Sequence, residues 1–235
     1  MTLRNYLFKT KLTYKIYLYY NLYVRHKCYL NRTQYSQWGE DKIIFEFFAN
    51  KKNGTYLDVG CFHPIMYSNT CLLFKHGWKG INIDINQTSI DLFNIIRPND
   101  INLCTTIDES KFDVKAYIDH PLSPVNTVIE EYYKSYKKKF FNETTIISVK
   151  SKTINEVLDL ANLKNIDFLN VDVEGMDLKI LKQLIPIPIK PRLVSIETHN
   201  VDGSESKDCQ QIIFYLKNYS YKVLKRSGPT TLFHF

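Results

Sequence analysis

The stretch Thr55-Tyr-Leu-Asp-Val-Gly-Cys-Phe-His-Pro64 decides the fold, read together with Gly80-Ile-Asn-Ile-Asp84 further on. Each begins as a short apolar run and ends in a carboxylate or a glycine turn, which is the pattern of a buried parallel strand. The first strand is placed at 55–59 and the second at 80–84. Between them Ser68 to His76 reads as a helix, closed by Gly77, since glycine is the usual residue just past a helix end. Strand, helix, strand opens a nucleotide-type α/β fold, in which ligands sit outside the carboxyl ends of the strands. Asp84 is then positioned to take two ribose hydroxyls. The first turn carries one glycine, Gly60, where a dinucleotide fingerprint needs three, so a pyrophosphate has no cradle. A ribose-bearing ligand without a pyrophosphate fits, and S-adenosylmethionine is the common one.

The pattern continues on both sides. Ile43, Ile44, Phe47 and Phe48 fall at helical spacing, and Glu40 and Asp41 sit in that helix's first turn, where its dipole favours carboxylates. Gln87 to Arg97 reads as a helix ended by Pro98. Extended segments follow near 101–106 and 112–118. Residues 119–145 are the least regular part, with the run Lys137-Lys138-Lys139 offering itself to an anionic acceptor or simply to solvent. A strand is expected at 146–150. Thr153 to Ala161 reads as a helix with a capping box from Thr153 and Glu156. Next come a strand within 166–175, a helix at Met176–Leu184, a strand at 192–199 and a helix at about 205–218. Tyr221–Lys225 and Thr230–Phe235 read as a hairpin about Ser227-Gly228. The expected fold class is α/β: a doubly wound, mostly parallel sheet with an antiparallel C-terminal hairpin.

The chain has 235 residues and a net charge of +7, enough for one α/β domain and a short appendage. The charge is uneven. Arg4, Lys9, Lys11, Lys15, Arg25, Lys27 and Arg32 all precede the first acid, Glu40, and account for the whole excess. The remainder is balanced, so a nucleic-acid partner is not expected. Residues 1–34 are basic, rich in tyrosine and free of glycine and proline. They read as a helical extension to a domain covering 35–235. That extension either contacts a membrane surface or an acidic partner, or packs on the domain or on a second subunit as a homo-oligomer contact. Five scattered cysteines form no CxxC, which suits a reducing cytoplasm and argues against a disulfide framework or a cysteine zinc site. No apolar run reaches membrane-spanning length.

Four strand ends carry polar groups: Asp58, Gly60 and His63; Asp84; Asp172 and Glu174; Glu197 and His199. In a parallel sheet these lie along one edge. Asp172 or Glu174 can orient a substrate hydroxyl, and with Glu197 they supply the hard oxygen ligands of Mg²⁺ or Mn²⁺. His199 titrates near working pH and is a candidate base for that hydroxyl, as is His63. Each has a plainer reading. Asp58 would bond the turn amides after its strand, Asp172 and Glu174 would cap the next helix, and His199 would be a loop histidine.

Ser36-Gln-Trp-Gly-Glu-Asp41, Leu57-Asp-Val-Gly60 with His63-Pro64, Ser68-Asn-Thr70, Gly77-Trp-Lys-Gly-Ile-Asn-Ile-Asp84 and Asn170-Val-Asp-Val-Glu-Gly175, in this order, resemble the FkbM-type methyltransferases over roughly 35–200. The resemblance implies a class I, S-adenosylmethionine-dependent O-methyltransferase acting on sugar or polyketide hydroxyls, often in capsule or lipopolysaccharide assembly. It implies that Asp58 and Gly60 shape the methionine side of the cofactor pocket and that Asp84 binds the ribose. Gln37, Glu40, Asp41, His63, Ser68, Asn69, Thr70 and Asp172 complete that pocket, and Asp172, Glu174 and His199 face the acceptor. The expected acceptor is a sugar or nucleotide sugar, and the expected location is the cytoplasm, at the inner face of the membrane if the extension docks there. The turn reads Gly-Cys-Phe-His where the family more usually has Gly-Ala-Asn, and the second strand ends in Asp rather than Glu. The rival readings are a nicotinamide oxidoreductase, opposed by the missing glycines, and a non-catalytic carbohydrate-binding or scaffold protein.

Overall fold

Seven strands form the central sheet of the computed structural model, which describes residues 10–49, 51–109, 112–137, 144–163, 165–185 and 190–235. Helix α1 (Lys11–Tyr20) runs into a π-helical turn at Asn21–Arg25 and a short 3-10 turn at Lys27–Tyr29. Helix α2 (Glu40–Phe47) precedes β1 (Thr55–Val59), α3 (Cys71–Lys75), β2 (Lys79–Asp84), α4 (Gln87–Ile96) and β3 (Ile101–Cys104). Then come β4 (Thr106–Ile107), β5 (Val114–Ile118), α5 (Glu130–Lys137), β6 (Thr145–Val149) and β7 (Ser151–Lys152). The rest is α6 (Ile154–Ala161), β8 (Phe168–Val171), α7 (Asp177–Leu184), β9 (Leu193–Glu197), α8 (Cys209–Asn218), β10 (Lys222–Ser227) and β11 (Thr230–His234).

The sheet order is β10-β11-β9-β8-β1-β2-β3. Strands β9, β8, β1, β2 and β3 pair in parallel, while β11 is antiparallel to β9 and to β10. The chain builds outward from β1 to β3 and then returns to the other side of β1 as β8. The crevice of a doubly wound sheet opens where that order reverses. Alternate residues of each strand face opposite sides. Leu57, Val59, Leu169, Val171, Val194 and Ile196 pack against α6, α7 and α8. Tyr56, Phe168, Leu193 and Leu232 face α2 and α3, with Ile44, Phe48, Leu73 and Trp78. Both faces are covered, as strands this apolar require.

The second face also carries a row of polar residues. Register places Asp58 beside Asn170 and Asn82, Asn82 beside Asn102, and Asn170 beside Ser195. Arg97, fully buried at the end of α4, closes over this row. Its guanidinium donates to Tyr56 Oη (3.1 Å), Thr70 Oγ1 (2.8 Å), Ser68 Oγ (3.0 Å) and the Pro64 carbonyl (2.6 Å). The helix expected from Ser68 therefore begins only at Cys71. Ser68, Asn69 and Thr70 are held in an irregular turn by side-chain bonds to Arg97, Asn170 and Asp58, and such bonds compete with helix formation.

Other expectations are corrected in the middle of the chain. The extended segment at 101–106 splits, and β4 leaves the main sheet to pair with β7. The strand expected at 146–150 pairs with β5 in a separate two-stranded sheet. The irregular 119–145 segment contains α5. Lys138, Lys139, Phe140 and Phe141 lie outside the described residues, as does the side chain of Lys137. The Thr153–Glu156 capping box is present, with Glu156 N donating to Thr153 Oγ1 (3.3 Å) and Thr153 N to Glu156 Oε2 (2.8 Å). The C-terminal hairpin forms as expected, turning at Gly228-Pro229.

Candidate active site

A cleft opens at the carboxyl ends of β1, β2, β8 and β9. Its floor is the turn after β1. Gly60 adopts φ +82°, and a Cβ there would lie 1.7 Å from the Asp172 carbonyl oxygen, so only glycine allows β1 and β8 to close at this point. Gly60 N and Cys61 N donate to the Ile83 carbonyl (2.9 and 3.0 Å). The next amide, Phe62 N, donates to Asp84 Oδ2 (2.9 Å), and Asn86 N donates to Asp84 Oδ1 (2.8 Å). These bonds fix the Asp84 carboxylate plane. Each oxygen retains further acceptor capacity, and the residue lines the cleft. Burial raises its pKa to about 6 against the opposing pull of those amides.

Asp58 is buried beside this turn. It accepts from Thr70 Oγ1 (2.7 Å) and Asn170 Nδ2 (2.9 Å) rather than from the turn amides, which Ile83 and Asp84 have taken. Burial raises its pKa, while Thr70, Asn170 and Arg97 oppose the rise. Asn69 Nδ2 donates to Asn170 Oδ1 (2.9 Å), which extends the chain of bonds to the cleft wall. Gln37, Glu40, Ser68, Asn69 and Asp172 line the cleft together with Asp58, Gly60 and Asp84. Glu40 accepts from Trp38 N (2.8 Å), and burial raises its pKa.

Asp41, His63 and Thr70 do not reach the cleft wall. Asp41 accepts from Tyr35 N (2.6 Å) and Ser36 Oγ (2.5 Å), which fixes the bend that presents Gln37 and Glu40. His63 is wholly buried and its Nδ1 accepts from Ile65 N and Met66 N (3.2 and 3.1 Å). Burial presses its pKa to about 3, so the ring is neutral and braces the turn.

The far end of the cleft is acidic. Asp172, Glu174 and Glu197 line it, and burial drives all three pKa values upward. Burial raises Asp172 well above its ordinary value, with Glu197 and Glu174 adding their repulsion. Glu197 rises to about 8, with Glu174 the leading charge against it. Glu174 rises to about 7, restrained by Tyr132, whose hydroxyl donates to Glu174 Oε2 (2.5 Å). Glu174 sits at φ +48° and Gly175 at φ +98°. A left-handed glutamate costs about 1 kcal/mol or more, the kind of strain that functional sites hold. Thr127 Oγ1 fixes the same turn by donating to the Glu174 carbonyl (3.0 Å). Neither Asp172 nor Glu174 caps α7. Met176 stands at the N-cap with no side-chain cap bond, and Asp177 in the first turn accepts from Val173 N (3.2 Å) and Gly175 N (3.4 Å), which ties the preceding turn to the helix.

His199 lies past the end of β9 and is not part of the cleft wall. Its Nδ1 shares a hydrogen bond with the Thr198 hydroxyl (2.8 Å). Asp172, Glu174 and Glu197 do not converge as a ligand set, because the reversal at Glu174 turns its carboxylate to Tyr132. Among the described residues, the potential ligands whose atoms all lie within 4.8 Å of one another are those of His199, Glu205 and Cys209, outside the cleft. Asn170, Tyr132, Thr127, Asp177 and Arg97 were given no role by sequence reasoning. Asn170 had a visible signal: like Asp58, it is a polar residue one place before the end of an apolar strand.

A sheet of this order, with one antiparallel strand beside its edge and a cleft holding a carboxylate at the end of the second strand, is a class I methyltransferase-like fold. The sequence model of the "Methyltransferase FkbM domain" family matches residues 46–223, and the chain belongs to that family and is a methyltransferase. The match begins after the 36–41 run and extends past residue 200. No curated protein matches the chain.

Proposed function

We propose that the chain uses S-adenosylmethionine to methylate a hydroxyl of a carbohydrate, either a nucleotide-linked sugar or a capsule or lipopolysaccharide glycan. The observation that carries this is the pairing within one cleft of a fixed Asp84 carboxylate at one end with half-buried Asp172, Glu174 and Glu197 at the other. The donor set fits the cofactor. Asp84 would hold the ribose diol. Phe62 and Ile85 offer apolar surface to the base, and Asn69, Ser68 and Gln37 offer polar contacts to the amino-acid end. When bound, S-adenosylmethionine supplies an activated methyl group on its sulfonium sulfur.

The chain's own work is then to hold the acceptor hydroxyl in line and to take its proton. Glu174 suits the second task. Its pKa near 7 leaves a usable fraction of base at neutral pH, and Tyr132 fixes its carboxylate. Asp172 and Glu197 orient the hydroxyl. Trp38 and Tyr67, both on the cleft wall and 44% exposed, offer flat apolar faces of the kind that stack on sugar rings, beside carboxylates that bond sugar hydroxyls. The Mg²⁺ or Mn²⁺ expected from the sequence is not part of this reading, because Asp172, Glu174 and Glu197 do not converge as a ligand set.

Titration calorimetry with S-adenosylhomocysteine, with a chelator and with Mg²⁺ or Mn²⁺, is the first test. Micromolar binding in chelator supports the cofactor reading and justifies a methyl-transfer screen over nucleotide sugars. Binding only with metal would overturn the metal-free reading of the cleft. A folded protein that binds under neither condition overturns the proposal in favour of a non-catalytic carbohydrate-binding or scaffold role.

A further inference from the structure

We infer that the outward face of α1 and the turns after it form a docking surface for an anionic lipid bilayer. The inward face is fixed to the domain. Leu18 and Leu22 are buried against Leu92 of α4, with Tyr14, Tyr17, Ile95, Ile96 and Leu122 around them. Tyr14 Oη donates to Asp91 Oδ2 (2.6 Å), so the helix is held by a hydrogen bond as well as by apolar contact.

The opposite face is apolar and, among the described residues, uncovered. Leu12, Ile16, Tyr19, Tyr20 and Tyr23 follow one another at helical three- and four-residue steps, and Val24 adjoins them. Leu12 is 69% exposed, Ile16 57% and Tyr20 51%. A surface helix ordinarily turns such a stripe inward, yet here two apolar stripes lie on opposite sides and the domain covers only one.

Charge identifies the occupant. Lys11, Lys15, Arg25, Lys27 and Arg32 are all exposed on this segment, and no acid occurs before Glu40. A protein partner's apolar groove would not require a segment with no acid at all. An anionic bilayer does favour one: basic side chains meet the headgroups, tyrosines sit at the interface with ring buried and hydroxyl wet, and Leu12 and Ile16 enter the acyl boundary. Lys15 lies over the Tyr19 ring at 5.9 Å, which keeps the charge at the border of the stripe. No helix among the described residues is long and apolar enough to cross a membrane, so this contact is with the surface. The inference stands apart from the reading of the cleft.

The test is flotation of the full chain with vesicles of phosphatidylcholine alone and of equal parts phosphatidylcholine and phosphatidylglycerol. Binding to the anionic vesicles only is expected. Lys11→Gln and Lys15→Gln should each weaken it about fivefold, as about 1 kcal/mol per surface charge implies. The double variant Ile16→Ser, Tyr20→Ser should weaken it more than about tenfold while keeping the wild-type thermal unfolding curve, both substitutions being on exposed positions. Three results would each overturn the inference. They are failure of the wild type to float with anionic vesicles, undiminished flotation of the double variant, and a solution dimer that the double variant converts to monomer.

Discussion

Asp84 is the residue on which the cofactor reading turns, because its carboxylate is fixed by two amides before any ligand arrives. Asp84→Asn keeps the shape and removes the charge. It should weaken S-adenosylhomocysteine binding about tenfold to a hundredfold by calorimetry, the range expected when hydrogen bonds to a charged group are lost; an unchanged affinity would remove Asp84 from the ribose site. Tyr132→Phe tests the proton acceptor. The Tyr132 hydroxyl holds the Glu174 pKa down, so the variant's pH–rate profile should shift to higher pH relative to wild type. An unshifted profile would mean that Glu174 is not the base. Asp84 was legible because a carboxylate ending an apolar strand is a local pattern. Tyr132 was not, because it lies 42 residues from Glu174 in the chain and no local pattern connects them.

Among the elements, the turn at 64–70 owes its shape to a residue from another element. Arg97, at the end of α4, bonds Pro64, Ser68 and Thr70 from beneath. Arg97→Met should destabilise the fold by about 3–5 kcal/mol in chemical denaturation, because it leaves buried polar partners without their cation. Affinity for S-adenosylhomocysteine should fall with it as Ser68 and Asn69 lose their support. A stability change within about 0.5 kcal/mol, the range of a surface substitution, would show that the network is dispensable. The capping box of α6 was readable from Thr153 and Glu156 alone, since both partners lie within one turn. The late start of α3 was not, since Ser68-Asn-Thr70 has acceptable helical spacing and only the strands beneath it hold those side chains elsewhere.

For the whole molecule, the acidic end of the cleft couples stability to pH. Glu174 and Glu197 have folded pKa values of about 7 and 8, above the ordinary 4.5. Raised carboxylates favour folding while protonated. Their contribution is full below about 4.5 and is lost as pH climbs through 7 to 8. The thermal midpoint of the wild type should therefore fall between about pH 4.5 and pH 8, and Glu197→Gln should flatten that fall. Equal slopes for the two proteins would mean that Glu197 is charged throughout. Activity should run the other way, rising as Glu174 loses its proton.

The sequence by itself determined the α/β class, the opening strand–helix–strand unit, the C-terminal hairpin, the family and the Asp58–Gly60–Asp84 group. All of these follow from patterns within a few residues, where periodicity, caps and turn glycines act. Tertiary structure decided which polar residues meet. It set Asn170 beside Asp58, drew β4 to β7 and β5 to β6 away from the main sheet, tied the 173–175 turn to Asp177, turned Glu174 to Tyr132 and left His199 outside the cleft. The physical reason is that a buried polar group must find a partner wherever packing brings one. Register between strands far apart in the chain sets that choice.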